Sequence, residues 1–273
     1  MTTKPLDGLR AIVIGGGSGI GLGSARLLAG DGATVTLAGR TEEKLREAAD
    51  VLGADGLSVS WVRCDAMRGE DVRSAVEEAG EDGRLDIAVV VPGGGAICPV
   101  LLYGDDQFSR EVDKNVRPVY LLLKYAGQAM IRAGGGSFVA ISSTAAVFST
   151  RYLASYGAGK AAVDQLVRVA ADELGEAGVR VNGVRPGMTR TPATEGAFAN
   201  QSMMAQFLAG QAIPRHGEVT DIARAVRYLA GPESSWVTGQ LLTVDGGHTL
   251  RAFVDYDSLL DLPDQAAIAR EAR

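Results

Sequence analysis

Short apolar runs alternate with longer amphipathic segments along almost the whole chain, and this alternation most constrains the fold. The runs that we interpret as strands are RAIVI (10–14), ATVTLAG (33–39), LSVSWVR (57–63), DIAVVV (86–91), SFVAIS (137–142), VRVNGV (179–184) and LLTV (241–244). Several are nearly continuous in valine, isoleucine and leucine, which is typical of strands that are covered on both faces. The amphipathic segments predict helices over 20–30, 41–53, 69–80, 105–133, 153–177 and 219–230.

Repeated strand–helix–strand units favour parallel strand pairing, because a right-handed crossover returns each new strand to the same sheet. We therefore predict an α/β fold: a single-domain, Rossmann-like, doubly wound parallel sheet of about seven strands with helices on both faces. The domain is expected to cover residues 1–250. Residues 251–273 are expected to form a C-terminal extension, with a subunit interface as one place for it to pack.

Composition excludes several classes of function. The chain has 273 residues, of which 46% are apolar and 22% charged, with a net charge of −6. An acidic balance argues against nucleic-acid binding as the main role, and neither a polybasic run nor a membrane-spanning apolar stretch is present. Cys64 and Cys98 match no metal-ligand spacing, so no metal site is predicted. A cytoplasmic protein that acts on a small molecule fits these properties.

A glycine-rich stretch, IVIGGGSGIGLG, joins the first predicted strand to the first predicted helix. The strict G-x-G-x-x-G pattern is absent, but G-x-x-x-G-x-G fits through Gly15, Gly19 and Gly21. Glycines at such a turn let the backbone approach a diphosphate and present a helix N-terminus to it. The loop therefore predicts dinucleotide binding, with contacts also expected from Gly17, Ser18 and Ile20.

The end of the second predicted strand bears on the choice of dinucleotide. A carboxylate there would bind the ribose 2′-hydroxyl of NAD, whereas this chain has Arg40 and Thr41. A guanidinium suits a 2′-phosphate, through planar, charge-assisted hydrogen bonds. We favour NADP(H) as the cofactor. NAD(H), with Arg40 as a solvated surface residue, remains the alternative.

Tyr156 and Lys160 are four residues apart and would share one face of a helix. Their ordinary pKa values are about 10 and about 10.4. A nearby ammonium and the positive nicotinamide of an oxidised cofactor would both lower the tyrosine pKa, so that Tyr156 could act as a general acid–base near neutral pH. Ser143, after the fifth predicted strand, could hold a substrate oxygen by hydrogen bonding. This chemistry needs no histidine.

Together these motifs resemble those of the short-chain dehydrogenase/reductase family, over about residues 6–250, and in particular its 3-ketoacyl-ACP reductases and hydroxysteroid dehydrogenases. The resemblance implies a catalytic tetrad of Asn115, Ser143, Tyr156 and Lys160. In the family, the tyrosine is the acid–base, and the lysine binds the nicotinamide ribose and lowers the tyrosine pKa. The serine orients the carbonyl, and the asparagine holds a water in a proton relay.

The resemblance also implies further cofactor contacts along the chain. Besides the glycine loop, Tyr156 and Lys160, these are Asp65, Ala66, Gly93, Pro186, Gly187, Thr189 and Thr191. Three departures from the family pattern concern the same site. Ile14 replaces a threonine, Val90-Val91-Pro92-Gly93 replaces N-N-A-G, and Ser18 stands where many NADP-preferring members have a basic residue.

The expected function is hydride transfer between the nicotinamide and the carbonyl or secondary-alcohol carbon of a small, hydrophobic substrate. The alternatives are a dinucleotide-binding sensor or scaffold with reduced catalysis, and an enoyl-type reductase. The latter is less favoured, because those relatives space the tyrosine and lysine further apart. The resemblance further implies a homotetramer or homodimer built through the Tyr156 helix and the last strand. We also expect Trp236 to pack in the core and His248 to lie at a surface or interface.

Overall fold

The computed structural model describes residues 4–251 and residue 270. The strands are β1 Arg10–Ile14, β2 Thr34–Gly39, β3 Val59–Arg63, β4 Ile87–Val90, β5 Gly136–Ile141, β6 Val179–Pro186, β7 Thr189–Arg190, β8 Gly217–Glu218 and β9 Leu241–Val244. The α-helices are α1 Gly19–Gly30, α2 Glu42–Ala54, α3 Gly69–Ala79, α4 Asp105–Ala133, α5 Ala154–Leu174, α6 Glu195–Phe198, α7 Gln201–Gly210 and α8 Val219–Ala230. Apart from Arg251 and Arg270, the predicted C-terminal extension lies outside the described residues.

Within residues 4–251, the seven long strands form one parallel sheet in the order β3-β2-β1-β4-β5-β6-β9. The chain first builds outward from β1 to β3 and then returns to the other side of β1 with β4. The carboxyl ends of β1 and β4 therefore flank the point where the strand order reverses, which is where doubly wound folds bind ligands. The predicted fold class and strand number are confirmed.

Two apolar layers cover the sheet, one on each face. On one face α3, α4 and α5 pack on residues such as Ile12 and Phe138, and on the other α1, α2 and α8 pack on residues such as Val13 and Val139. Successive residues of a strand point to opposite faces, so a strand buried on both sides must be apolar throughout. This requirement explains the near-continuous apolar runs in the sequence.

The segment between β6 and α8 contains the main structure that periodicity did not predict. It forms α6 and α7, and the two-residue strands β7 and β8 pair with each other in parallel. Two single-residue expectations were also wrong. Trp236 is 99% exposed, and His248 is buried, with its ring centroid 5.6 Å from that of Phe148 and 5.5 Å from that of Phe207.

Candidate active site

The glycine loop forms the tight turn between β1 and α1. Gly15 has φ +82° and Gly19 has φ +52°, backbone conformations that residues with a side chain rarely adopt. A Cβ on Gly21 would lie 2.1 Å from the Gly15 carbonyl oxygen. The helix begins at Gly19 after the N-cap Ser18, so that its first N–H groups have no helical partner. The donors and the close backbone approach fit a diphosphate.

A cleft of about 750 Å³ runs from this loop across the carboxyl ends of β2, β3 and β4. Its lining includes these residues predicted to contact the cofactor: Gly15, Gly17, Ser18, Arg40, Thr41, Asp65, Ala66 and Gly93. Lys44 and Met67 also line it and were not predicted. The cleft therefore joins the loop to the predicted adenosine side of the site.

Two cations stand at the end of β2. Arg40 and Lys44 are both exposed and both line the cleft, on either side of the α2 N-cap Thr41. None of the ion pairs that the structure describes for residues 4–251 involves either of them, whereas the neighbouring Glu42 faces Arg63 at 3.8 Å. Lys44 was missed because its place in the first turn of a helix is a common surface position.

The segment after β4 keeps its place without the asparagines that the family usually has there. The Val91 amide donates to the Ile14 carbonyl at 3.0 Å, which extends the pairing of β4 with β1 beyond the strand. Gly93 has φ +69°, and a Cβ on it would lie 2.1 Å from Asn115 Oδ1. The residues at 90–93 therefore keep the backbone pairing intact, and Gly93, which lines the cleft, has no room for a side chain beside Asn115.

Asn115 is fully buried in α4, and its side chain hydrogen-bonds to the backbone of this segment. Its Nδ2 donates to the carbonyl oxygens of Gly94 and Glu111, each at 3.0 Å. Its Oδ1 has no hydrogen-bond partner among the described residues. On the α5 side, a Cβ on Gly159 would lie 2.9 Å from Asn115 Cβ. Asn115 therefore connects the cleft to the helix that carries Tyr156.

Ser143, Tyr156 and Lys160 lie together beside the segment Pro92–Gly95, of which Pro92, Gly93 and Gly94 line the cleft. Lys160 is buried, and its Nζ donates to the Pro92 carbonyl at 3.2 Å and to the Ile141 carbonyl at 3.0 Å. The same nitrogen lies 5.5 Å from the Tyr156 ring centroid. A Cβ on Gly95 would lie 2.5 Å from Tyr156 Cβ, so the glycine backbone packs directly on the tyrosine.

Burial governs the pKa values of this group. Burial raises the pKa of Tyr156, and the hydrogen bond from Ser143 opposes that rise only in part. Burial lowers the pKa of Lys160 to about 7, and the charge of Asp164 opposes that fall. Within the protein alone, desolvation is the largest influence on the pKa values of both groups. The expectation that the ammonium, together with a bound oxidised nicotinamide, lowers the tyrosine pKa stays a prediction.

The segment after β6 closes the other side of the glycine loop. Thr191 and Pro192 lie against Gly19, with Thr191 Cβ 3.5 Å from the position of a Gly19 Cβ. Thr194 Oγ1 accepts from the Thr191 amide at 2.9 Å and donates to the Thr189 carbonyl at 2.7 Å, which fixes this turn. Pro186 and Gly187 lie at the end of β6, where the Gly187 amide donates to Val244.

Apolar side chains lie on the chain segments beside Tyr156. The Cys98 amide donates to the Tyr152 carbonyl at 2.8 Å, which fixes the loop after Gly95 beside the start of α5. This loop exposes four apolar side chains: Ile97, Val100, Leu101 and Leu102. Tyr152 itself packs with Met203, Met204 and Phe207 of α7 in a separate buried cluster.

Comparison with known proteins identifies the family. The family model described as enoyl-(acyl carrier protein) reductase matches residues 15–249. An A-factor type γ-butyrolactone 1′-reductase (1S-forming) of Streptomyces virginiae is 39% identical over 245 residues, which cover 88% of this chain and 95% of that protein. A short-chain type dehydrogenase/reductase from Mycobacterium ulcerans superimposes with a TM-score of 0.92, at 37% identity, covering 96% of this chain and 98% of that one.

A third relative carries bound ligands. It is a 7α-hydroxysteroid dehydrogenase complexed with NADH and 7-oxo glycochenodeoxycholic acid, with a TM-score of 0.85 at 33% identity, covering 90% of this chain and 97% of that one. The chain belongs to the short-chain dehydrogenase/reductase family. It is an oxidoreductase of the CH–OH/C=O type that uses a nicotinamide dinucleotide and acts on a small molecule.

The structure of residues 4–251 bears on two other classes of site. None of the helices in this part of the chain is both long and apolar enough to cross a membrane. No group of three or more His, Cys, Asp or Glu side chains within it is placed to hold a metal ion.

Proposed function

We propose that the protein is an NADP(H)-dependent oxidoreductase that interconverts a hydrophobic carbonyl compound and its secondary alcohol. One observation carries the proposal: Ser143, Tyr156 and Lys160 lie together beside the segment Pro92–Gly95, which borders a glycine-lined cleft. The cleft would hold the dinucleotide through the α1 N-terminus, Asp65, Ala66, Gly93, and the turn at Thr189–Thr191.

The bound cofactor supplies the hydride in reduction and accepts it in oxidation. In reduction, the Tyr156 phenol gives its proton to the carbonyl oxygen as the C–H bond forms, and in oxidation its phenolate takes the alcohol proton. Ser143 donates a hydrogen bond to that oxygen and orients it. Lys160, when protonated, stabilises the phenolate and binds the ribose. Asn115 supports the segment from Pro92 to Gly95 and, with its free Oδ1, accepts from a water of the proton relay.

Tyr156→Phe tests this assignment. The variant keeps the ring but removes the proton that the reaction needs, so we expect kcat to fall at least about 100-fold, with cofactor binding within about twofold of wild type. Unchanged turnover would exclude Tyr156 as the acid–base. If the wild-type protein binds the dinucleotide tightly and turns over none of a broad panel of ketones and alcohols, a sensor or scaffold becomes the better description.

The preference for NADP(H) rests on Arg40, Lys44 and Thr41 at the end of β2. Two cations that form no ion pair with the described residues 4–251 suit a 2′-phosphate, and each charge-assisted contact is worth about 1.5–3 kcal/mol. Titration with NADPH and NADH, followed by nicotinamide fluorescence, measures the preference. Arg40→Ala is expected to weaken NADPH binding by about 10- to 100-fold and to leave NADH binding unchanged. If wild type binds NADH more tightly than NADPH, the NAD(H) alternative is correct.

The hydrophobic substrate is inferred from the exposed apolar loop 97–102 beside Tyr156. A panel of bulky cyclic ketones, long-chain 3-oxo thioesters and small polar ketones tests it, and we expect kcat/KM to rise with apolar area. An α,β-unsaturated thioester in the same panel tests the enoyl-type alternative. The spacing of four residues between Tyr156 and Lys160 favours carbonyl reduction over reduction of the double bond.

A further inference from the structure

A buried ion pair lies one helical turn beyond Lys160. Asp164 is on the same face of α5, and Oδ2 of its side chain accepts from Arg185 of β6, with distances of 2.8 Å to Nε and 2.6 Å to Nη2. The side chains are only 4% and 13% exposed. The second carboxylate oxygen, Oδ1, is buried and has no hydrogen-bond partner among the described residues.

Stability alone does not account for this pair. Removing two charges from water costs several kcal/mol each, and a well-packed apolar pair of the same volume is often as stable or more so. Both Arg185 nitrogens contact the same carboxylate oxygen, Oδ2, so the other oxygen, Oδ1, stays buried without a hydrogen-bond partner among the described residues. A buried carboxylate in this arrangement acts on the charges near it, because the local dielectric constant is low.

Two cations lie four residues from Asp164 on α5: Lys160 is buried, whereas Arg168 is exposed and donates to Gln165 Oε1 at 3.4 Å. On the sheet side, Lys160 Nζ donates to two main-chain carbonyls, that of Pro92 after β4 and that of Ile141 in β5.

From α4, the uncharged Asn115 faces this part of α5. Of the charged residues near it in α4, Lys114 pairs with Glu111 at 2.8 Å, Arg117 Nε donates to the Met67 carbonyl at 2.8 Å, and Asp113 is exposed. The 3-10 turn Thr144–Ala146 has no ionisable side chain, and Tyr156 is the other titratable group beside Lys160. β6 carries two arginines, of which Arg185 pairs with Asp164, whereas Arg180 donates to the Leu229 carbonyl and to Ser234 Oγ.

We propose that the Asp164–Arg185 pair sets the protonation state of Lys160 and, through it, the pH range over which Tyr156 acts as a base. Asp164 touches neither substrate nor cofactor in this proposal and is a positioning residue. Arg185 fixes the carboxylate at one place and partly offsets its charge. The catalytic half of the inference rests on the proposed function.

The direction of the effect follows from the charges. Burial lowers the pKa of Lys160 to about 7, and Asp164 opposes that fall. Without the carboxylate, less of Lys160 would be protonated at neutral pH. A neutral amine stabilises the phenolate less than an ammonium does, so Tyr156 would lose its proton at higher pH.

Asp164→Asn removes the charge and keeps the shape, and Asp172→Asn is the matched control, since Asp172 is an exposed acid on the same helix. The chain has five lysines, and burial lowers the pKa of Lys160 to about 7. In protein labelled with ¹³C-lysine, the Lys160 Cε signal, assigned by its loss in Lys160→Met, reports the pKa directly. We expect Asp164→Asn to lower that midpoint by about half a pH unit or more, an about threefold change in the protonated ratio, and the control to leave it unchanged.

The second readout is the pH profile of alcohol oxidation. Its acidic limb is expected to move to higher pH in Asp164→Asn and to stay in place in Asp172→Asn. An unmoved Lys160 signal overturns the inference, and a moved signal with an unmoved profile overturns its catalytic half. If wild type lacks turnover, the proposed function fails, and the lysine signal still decides the link between Asp164 and Lys160.

Asp164→Asn leaves Arg185 buried without its partner, which could prevent folding. The double variant Asp164→Asn with Arg185→Met removes both charges and avoids that penalty. Its Lys160 midpoint is expected to move in the same direction by a smaller amount, because Arg185 acts on Lys160 with the opposite sign. A double variant with the wild-type midpoint overturns the inference.

Discussion

The contact between Gly95 and Tyr156 allows the placement of the tyrosine to be tested without changing a reacting group. Gly95 lies in the loop after β4, and a Cβ there would stand 2.5 Å from Tyr156 Cβ, whereas ordinary contacts begin at 3.4 Å. Gly95→Ala must therefore push the two apart by about 1 Å. The backbone of Gly95 is not in the left-handed region, so the variant adds no strain of that kind.

A misplacement of about 1 Å at a reacting group costs about 100-fold in rate, or about 2.7 kcal/mol of transition-state stabilisation. We expect kcat of Gly95→Ala to fall by this amount, with unfolding destabilised by about 1–3 kcal/mol from overpacking. Gly94→Ala is the matched control, since a Cβ at Gly94 meets no protein atom within 4 Å. The assay is the rate of NADPH oxidation at saturating ketone.

Because Gly94 also lines the cleft, cofactor affinity is measured for both variants, and only kcat at saturating cofactor is compared. A Gly95→Ala enzyme whose kcat is within about threefold of the Gly94→Ala control would refute the reasoning. It would mean either that the loop moves aside freely or that the position of Tyr156 is not limiting.

Three further outcomes are expected. Lys160 has a pKa of about 7 in the folded protein and about 10.4 in the unfolded chain, so the unfolded chain binds more protons between these two pH values. The free energy of unfolding should therefore rise with pH over that window, by up to about 1.4 kcal/mol per pH unit. Urea melts of wild type and Lys160→Met at pH 7 and 9 should show this rise in wild type alone. Arg180 of β6 donates to the Leu229 carbonyl at 2.9 Å and to Ser234 Oγ at 2.8 Å. In the same melts, Arg180→Met should lower the free energy of unfolding by about 3 kcal/mol, whereas replacing an exposed arginine should lower it by less than about 0.5 kcal/mol. We also propose a homotetramer or homodimer built through α5 and β9; if the exposed Trp236 lies in its interface, Trp236→Ser should lower the mass measured by light scattering, and an unchanged mass would place the interface elsewhere.

Local sequence patterns predicted the strands and helices whose residue types are set by their own burial and periodicity. The strands were placed within a few residues, because a strand covered on both faces must be apolar at every position. The helix carrying Tyr156 and Lys160 was predicted from its own amphipathic pattern, which is also a local property of the sequence. By contrast, α6 and α7 pack on residues far away in sequence, such as Tyr152, and their short apolar stretches have no clear period of their own.

The residues that the sequence misjudged depend on contacts between distant segments. His248 follows two glycines near the end of the last strand, a surface-like context, yet Phe148 and Phe207 enclose it. Trp236 is the kind of residue that usually packs, yet it lies in an exposed turn. The Asp164–Arg185 pair joins two elements whose register could not be known beforehand. The raised pKa of Tyr156 was missed because spacing on a helix indicates proximity but not burial.

The contact of Thr191 and Pro192 with Gly19 joins segments more than 170 residues apart in the chain. The diphosphate half of the site is therefore complete only after most of the polypeptide has been synthesised and has folded. A ligand that binds such a site recognises the native state and not the unfolded chain, and it adds about 2.7 kcal/mol to stability at a concentration 100 times its Kd. The concentration of dinucleotide in the cell would thus govern both the resistance of this protein to proteolysis and its catalytic rate.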